Sequence, residues 1–206
     1  MVVVKNPTEI EKKSMEIIRP YVENIFKSEA EIKVASRIIH AAGDVDYAKI
    51  IRIHIDAVEK TKNAILNGKN VYTDVEMVRT GINKNKLKDF GGKVFCKIAD
   101  ENVAINAKKN GITRSMAAMR EFGKDLNNSI IAIGNAPTAL FEVLRLIEEE
   151  NISPAVIIGI PVGFVGAAES KTALMQNAKT PYITVEGTKG GSPIAVAAFN
   201  AILYQI

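Results

Sequence analysis

Tryptophan is absent from this chain of 206 residues, cysteine occurs once and histidine twice. Each scarcity excludes something. A lone Cys96 can neither close a disulfide within the chain nor build a thiolate metal site, which points to a reducing compartment. His40 and His54 stand too far apart to be a metal pair on one helix turn. Aromatic residues make up only 6% of the chain, and the net charge of +4 is spread over lysines from Lys5 to Lys189. A basic face interleaved with aromatics, the footprint of a nucleic-acid module, is therefore not visible. The excess charge reads equally as general solubility and as a weak preference for anionic ligands. No apolar run has the length of a membrane span. The opening Met1-Val2-Val3-Val4-Lys5-Asn6-Pro7 lacks a signal h-region and a small-residue cleavage site. The expectation is a soluble cytoplasmic protein without nucleic-acid or membrane partners.

What is present is the composition of an ordered domain: 47% hydrophobic and 24% charged residues. A chain of this length suits one domain over residues 1–206. Pro7 opens a first helix, with Thr8 and Glu11 at capping-box spacing. Ile10, Ser14, Ile17, Ile18, Tyr21, Ile25 and Phe26 share one side of it and are expected to face the core. Ser14 is the odd member. Its hydroxyl either bonds back to the carbonyl one turn earlier or is offered to a ligand. Ser28 and Glu31 repeat the capping spacing before a second helix, which Gly43 stops. Ile50 to Ile55 alternate as a short strand, and 57–66 read as a helix. Residues 71–73 form a strand, after which Asp74 is placed to cap a helix through Val78. Later strands are expected at 93–98, 129–133, 155–160 and 182–185. Helices are expected at 102–109, 114–122, 138–150, 167–177 and 192–204. The late strands are apolar and β-branched throughout, as parallel strands covered on both faces are. The fold class is therefore α/β: a three-layer sandwich with a mostly parallel central sheet flanked by helices.

Three glycine-rich loops follow late strands and lead into helices: Gly134-Asn135-Ala136-Pro137-Thr138, Pro161-Val162-Gly163-Phe164-Val165-Gly166, and Glu186-Gly187-Thr188-Lys189-Gly190-Gly191-Ser192-Pro193. In open α/β sheets ligands bind beyond the carboxyl ends of strands, and unpaired N–H groups at helix starts favour anions. Any one loop is explained by a tight turn; three on one edge point to a site. Neither a dinucleotide fingerprint nor a Walker pattern is present, and a nucleophile elbow is missing. Cys96 reads as a strand residue with an inert thiol. Acid–base chemistry falls to His40 by scarcity, with Arg37 one turn before it and Arg114 elsewhere as cationic neighbours. A lone helical histidine is more often structural than catalytic.

The ordered set of motifs resembles the precorrin-8X methylmutase family, which includes the cobalt-precorrin-8 methylmutases of corrin-ring biosynthesis. The resemblance rests on the Ser14 helix, Ser36-Arg37-Ile38-Ile39-His40-Ala41-Ala42-Gly43-Asp44, and Thr73-Asp74-Val75-Glu76-Met77-Val78 with Gly81-Ile82. It continues through Thr113-Arg114-Ser115, 134–140, 161–171 and 187–192, covering nearly the whole chain in order. It implies an isomerase that moves a methyl group between adjacent ring-C carbons of precorrin-8X or cobalt-precorrin-8. The product is then hydrogenobyrinic or cobyrinic acid. It implies His40 as the catalytic residue and substrate contacts at Ser14, Arg37, Thr80, Arg114, Asn135 and Lys171, with no cofactor and no metal ligand. It also implies a homodimer with active sites shared between chains. A non-catalytic corrinoid carrier of the same fold is the alternative; it would keep the loops and arginines without needing His40. An enzyme using the glycine loops for phosphate and a nucleic-acid-binding protein are more distant rivals.

Overall fold

A computed structural model describes residues 5–176 and 179–206. Six strands form one sheet in the order β1-β6-β5-β4-β2-β3. They are β1 (Ile51–Ile53), β2 (Val71–Thr73), β3 (Val94–Cys96), β4 (Ile130–Ile133), β5 (Val156–Gly159) and β6 (Tyr182–Val185). All neighbours run parallel except β1, which lies antiparallel on β6. The expected mostly parallel sheet is thus the observed one.

Alternation along these strands divides the core into two layers. Val71, Ile130, Ala132, Val156 and Ile158 face one way and Tyr72, Ile131, Ile133 and Ile157 the other. Each buried aliphatic side chain of this kind stabilises the fold by roughly 1.5–3 kcal/mol. The first layer is covered by α2 (Glu29–Ala42), α4 (Ala57–Leu66) and α11 (Ser192–Leu203), with α1 (Pro7–Val22) packed on α2 and α5 (Glu76–Gly81) on α11. The second is covered by α8 (Arg114–Phe122), α9 (Pro137–Glu149) and α10 (Ala167–Gln176), with α7 (Glu101–Asn110) against α8. The helices α3 (Tyr47–Ile50) and α6 (Lys84–Asp89) are short and were not anticipated from the sequence pattern. Residue 177, expected to end α10, lies outside the described residues.

The expected ends of α2 are found. Ser28 accepts from the Glu31 N–H while Glu31 accepts from the Ser28 N–H, and Gly43 closes the helix with φ +64°, which glycine adopts without strain. Two expectations need correction. The cap of α1 is Asn6, which accepts from the N–H groups of Thr8 and Glu9, and not Thr8. The apolar stripe of α1 also splits. Ile18 and Val22 turn inward onto α2, whereas Ile10, Ile17, Tyr21 and Ile25 are exposed. The reason is rotational: residues 10, 14, 17 and 21 form a narrow stripe, and α2 takes the adjoining side.

Candidate active site

His40 stands in the last turn of α2 with its side chain exposed. It lines a groove of about 380 Å³ with Glu11, Arg37, Ala41, Ala197, Asn200, Ala201 and Tyr204. Glu11, Arg37, Ala201 and Tyr204 also line a larger groove of about 680 Å³ between α1, α2 and α11. The two depressions meet at an ion pair in which the Arg37 guanidinium donates to the Glu11 carboxylate. The larger groove has apolar lining (Met15, Ile32, Ala201) and charges of both signs, with Lys12 paired to Glu16, Arg19 to Glu29 and Lys33 among them.

Asn200 ties this groove to α5. It accepts from the Asn83 N–H at 3.1 Å and donates to the Gly81 carbonyl at 3.0 Å. Thr80 therefore sits beside the same junction, though its hydroxyl donates to the Glu76 carbonyl at 2.8 Å and it lines neither groove.

The end of α2 is fixed to the carboxyl edge of the sheet. Asp44 accepts from Lys189 Nζ at 2.6 Å, and this bond holds its carboxyl below the usual carboxylate range. Lys189 belongs to the loop after β6. Its carbonyl accepts from Lys171 Nζ at 2.5 Å. Lys171, in the first half of α10, has no solvent exposure, and burial pushes its amine down to about 8. Two backbone bonds join this loop to the segment after β5: Gly163 N–H to the Thr188 carbonyl and Gly191 N–H to the Ile160 carbonyl. Gly190 is required where they touch, because a Cβ there would lie 2.6 Å from the Pro161 oxygen. As placed, the Lys171 amine is closed to a ligand and acts on the loop instead.

The third glycine loop is also occupied. Asp74, fully buried, accepts from Gly134 N–H at 2.9 Å, Asn135 N–H at 2.9 Å and Ala136 N–H at 2.7 Å. Burial pushes its carboxyl up, and the three N–H bonds oppose that shift. Asp74 thus does not cap α5, whose first turn has no side-chain cap. It fills the crevice between β2 and β4, where the strand order reverses and where ligands enter many open sheets. The expectation that these N–H groups await an external anion is corrected: the chain supplies its own. Asn135 keeps its side chain exposed at this edge. Arg114 opens α8 nearby, since its neighbour Thr113 bonds Thr138 of α9 at 2.9 Å. Arg114 is exposed and makes no ion pair among the described residues.

Ser14 takes the plainer of its two readings here, donating to the Ile10 carbonyl at 2.8 Å. One chain therefore brings Arg37 to His40, sets Thr80 at the margin, and leaves Ser14, Arg114, Asn135 and Lys171 outside that groove. Sequence reasoning missed Glu11, Asn200 and the inward role of Asp74. Only Asp74 had a signal, a carboxylate directly after an apolar strand. Cys96 is half-buried with its thiol pushed up to about 11 by burial, consistent with an inert group. Among the described residues no cluster of three or more His, Cys, Asp or Glu side chains is placed to hold a metal ion. No helix is long and apolar enough to cross a membrane, within those same residues.

A doubly wound α/β fold with an exposed imidazole in a groove beside an arginine–glutamate pair defines a class: an α/β protein with one group able to exchange protons near neutral pH at a surface groove. Comparison with known proteins narrows it. Residues 9–205 match the family model described as precorrin-8X methylmutase. The chain is 43% identical to the cobalt-precorrin-8 methylmutase of Leptospira interrogans, over 94% of this chain and 91% of that protein. It is 38% identical to the precorrin-8X methylmutase of a Sinorhizobium species, over 97% and 95%. The crystal structure of a precorrin-8X methylmutase from Thermus thermophilus superposes with a TM-score of 0.85 at 34% identity, covering 95% of this chain and 96% of that one. The chain belongs to the precorrin-8X methylmutase family, a family of isomerases in cobalamin biosynthesis.

Proposed function

We propose that this protein moves a methyl group between adjacent ring-C carbons of precorrin-8X or cobalt-precorrin-8, giving hydrogenobyrinic or cobyrinic acid. The shift is an isomerisation: one carbon–methyl bond breaks as its neighbour forms, the conjugated double bonds relocate, and no atom or electron is gained. The observation that carries the reading is the exposed His40 imidazole in a groove one turn from Arg37. In the metal-free ring His40 donates a proton or hydrogen bond to the nitrogen beside the migrating centre, drawing electron density toward it and weakening the bond of the migrating methyl. In the cobalt-bearing ring that nitrogen is already coordinated, and His40 polarises another atom of the macrocycle. Arg37 and Arg114 hold peripheral carboxylates of the macrocycle, Ser14, Thr80 and Asn135 add hydrogen bonds, and Lys171 acts through the 186–191 loop. The protein's contribution is mainly orientation of a substrate that rearranges within itself, so the reading requires no cofactor.

The dispersion of these residues supports a shared site in a homodimer. Arg114 and Asn135 lie at the sheet edge and Ser14 on the outer side of α1, so a second copy is needed to bring such groups to one macrocycle. The exposed stripe Ile10, Ile17 and Tyr21 is the face this dimer would bury. A single domain over residues 1–206, acting in the cytoplasm, fits a biosynthetic enzyme of this kind.

The test is incubation with metal-free and cobalt-bearing precorrin-8, read by absorption spectra, since the relocated conjugation changes colour. His40→Ala should lower turnover by about 10²–10⁴-fold while the product still binds. Unchanged turnover in His40→Ala would remove the proton-transfer role and favour a carrier.

A further inference from the structure

Glu11 has no place in the chemistry just described, yet it stands at the centre of the site. Its carboxylate is paired with Arg37, and both residues line the His40 groove and the larger groove beside it. A ligand lying across that junction meets this pair first. Arg37 has five N–H donors and gives Glu11 only one, from Nη2, so a second carboxylate can reach the same guanidinium but must sit beside the negative charge of Glu11. Among the described residues Glu11 is its one ion-pair partner, and both side chains are partly open to water. Exposed pairs of this kind exchange partners at little cost.

Resting on the reading that Arg37 holds a substrate carboxylate, we propose that Glu11 is a placeholder for that carboxylate. It occupies one donor of Arg37 in the empty protein and opposes an incoming carboxylate by like-charge repulsion, so it sets affinity by competition. The consequence is a groove that keeps its arginine oriented between turnovers and releases its product readily. A product carboxylate leaves Arg37 from beside the Glu11 charge, and the guanidinium is never left unpaired.

A purely structural role is the competing account, because the same pair also links α1 to α2. A second contact between these helices provides the control. Val22 of α1 is fully buried toward α2 and lines neither groove, so Val22→Ala loosens α1 without freeing a cation at the site. The experiment titrates hydrogenobyrinic acid and cobyrinic acid into the wild type and the variants Glu11→Gln, Val22→Ala and Arg37→Ala. Thermal melts establish that each is folded. Competition predicts that Glu11→Gln tightens binding about two- to fivefold, with KM falling in parallel. The gain should shrink as salt screens the pair. Val22→Ala should tighten binding less than Glu11→Gln does. Equal tightening in both variants would mean that loosening of α1 is responsible, and would overturn the proposal. So would unchanged or weaker binding in Glu11→Gln, provided Arg37→Ala still loses affinity. If Arg37→Ala binds as well as wild type, the carboxylate-holding role of Arg37 fails first, and the placeholder with it.

Discussion

Lys171 and Lys189 are joined by a hydrogen bond of 2.5 Å from the buried amine of the first to the carbonyl of the second. The side chain of Lys189 then reaches Asp44, just past the helix that carries His40. A lysine on one side of the sheet thereby fixes the end of a helix on the other.

Lys171 should make stability depend on alkaline pH. Its amine is held at about 8 in the folded chain, below the ordinary lysine value of 10.5. Below about pH 8 both folded and unfolded chains carry the proton, and the cost of burying the charge is present in full. Between about 8 and 10.5 the unfolded chain binds more protons, so folded stability rises with pH. Relative to Lys171→Met, the wild type should gain roughly 2–3 kcal/mol between pH 7 and 10.5. Urea unfolding of both proteins across that range measures it. A constant difference would show that the amine is not desolvated.

Asp74 is expected to be the most costly single carboxylate to remove. Asp74→Ala leaves the buried N–H groups of Gly134 and Ala136 without acceptors, costing on the order of 2–5 kcal/mol. Asp74→Asn keeps one acceptor oxygen but turns an amide NH₂ toward an N–H donor, at about 1–3 kcal/mol. Hydrogen exchange at residues 134–136 should accelerate in both variants. If exchange there stays as slow as in β4, Asp74 does not hold the loop.

Asp74 also shows where sequence reading stops. The lengths of α4, β2, α8 and β6 were legible to the residue, because apolar periodicity and glycine stops are local. The partners of Asp74 lie sixty positions away, and a carboxylate before a helix carries the same local pattern whether it caps that helix or another. The stripe on α1 was legible as a stripe, but its direction depends on how α2 docks through Ile18 and Val22. His40 stood out because alternatives were few, and Arg37 because it lies one turn away. Glu11 and Asn200 had no signal, since their positions arise from α1 and α11 meeting α2 and α5.

Asn200 should matter to both stability and binding. Replacing it with Ala removes the acceptor for the Asn83 N–H and the donor to the Gly81 carbonyl. The expected cost is about 1–3 kcal/mol. Because Thr80 precedes Gly81, release of this segment should also raise KM. Steady-state kinetics beside a melt separate the two effects: a lower melting point with unaltered KM would confine Asn200 to the scaffold.

The exposed face of α1 leads to a prediction about assembly. Ile10, Ser14, Ile17 and Tyr21 follow one another at spacings of four, three and four, the seam of a paired helix, and Ile17 retains 67% of its exposure. Ile17→Glu alters no buried contact, so the fold should change by less than about 0.5 kcal/mol. A charge at the centre of a self-complementary interface should nevertheless prevent pairing, since it meets its own copy. Sedimentation should show a dimer for wild type and a monomer for Ile17→Glu. A wild-type monomer removes the dimer, whereas a variant that remains dimeric moves the interface elsewhere, for which the exposed Phe164 and Val165 are the next apolar surface. Sharing of the active site has its own check. His40→Ala and Arg114→Ala should each be inactive alone, and mixing them should restore turnover, because a hybrid pair contains one site with both groups intact. Absence of recovery, with hybrids confirmed by mass, would place His40 and Arg114 in the service of the same chain.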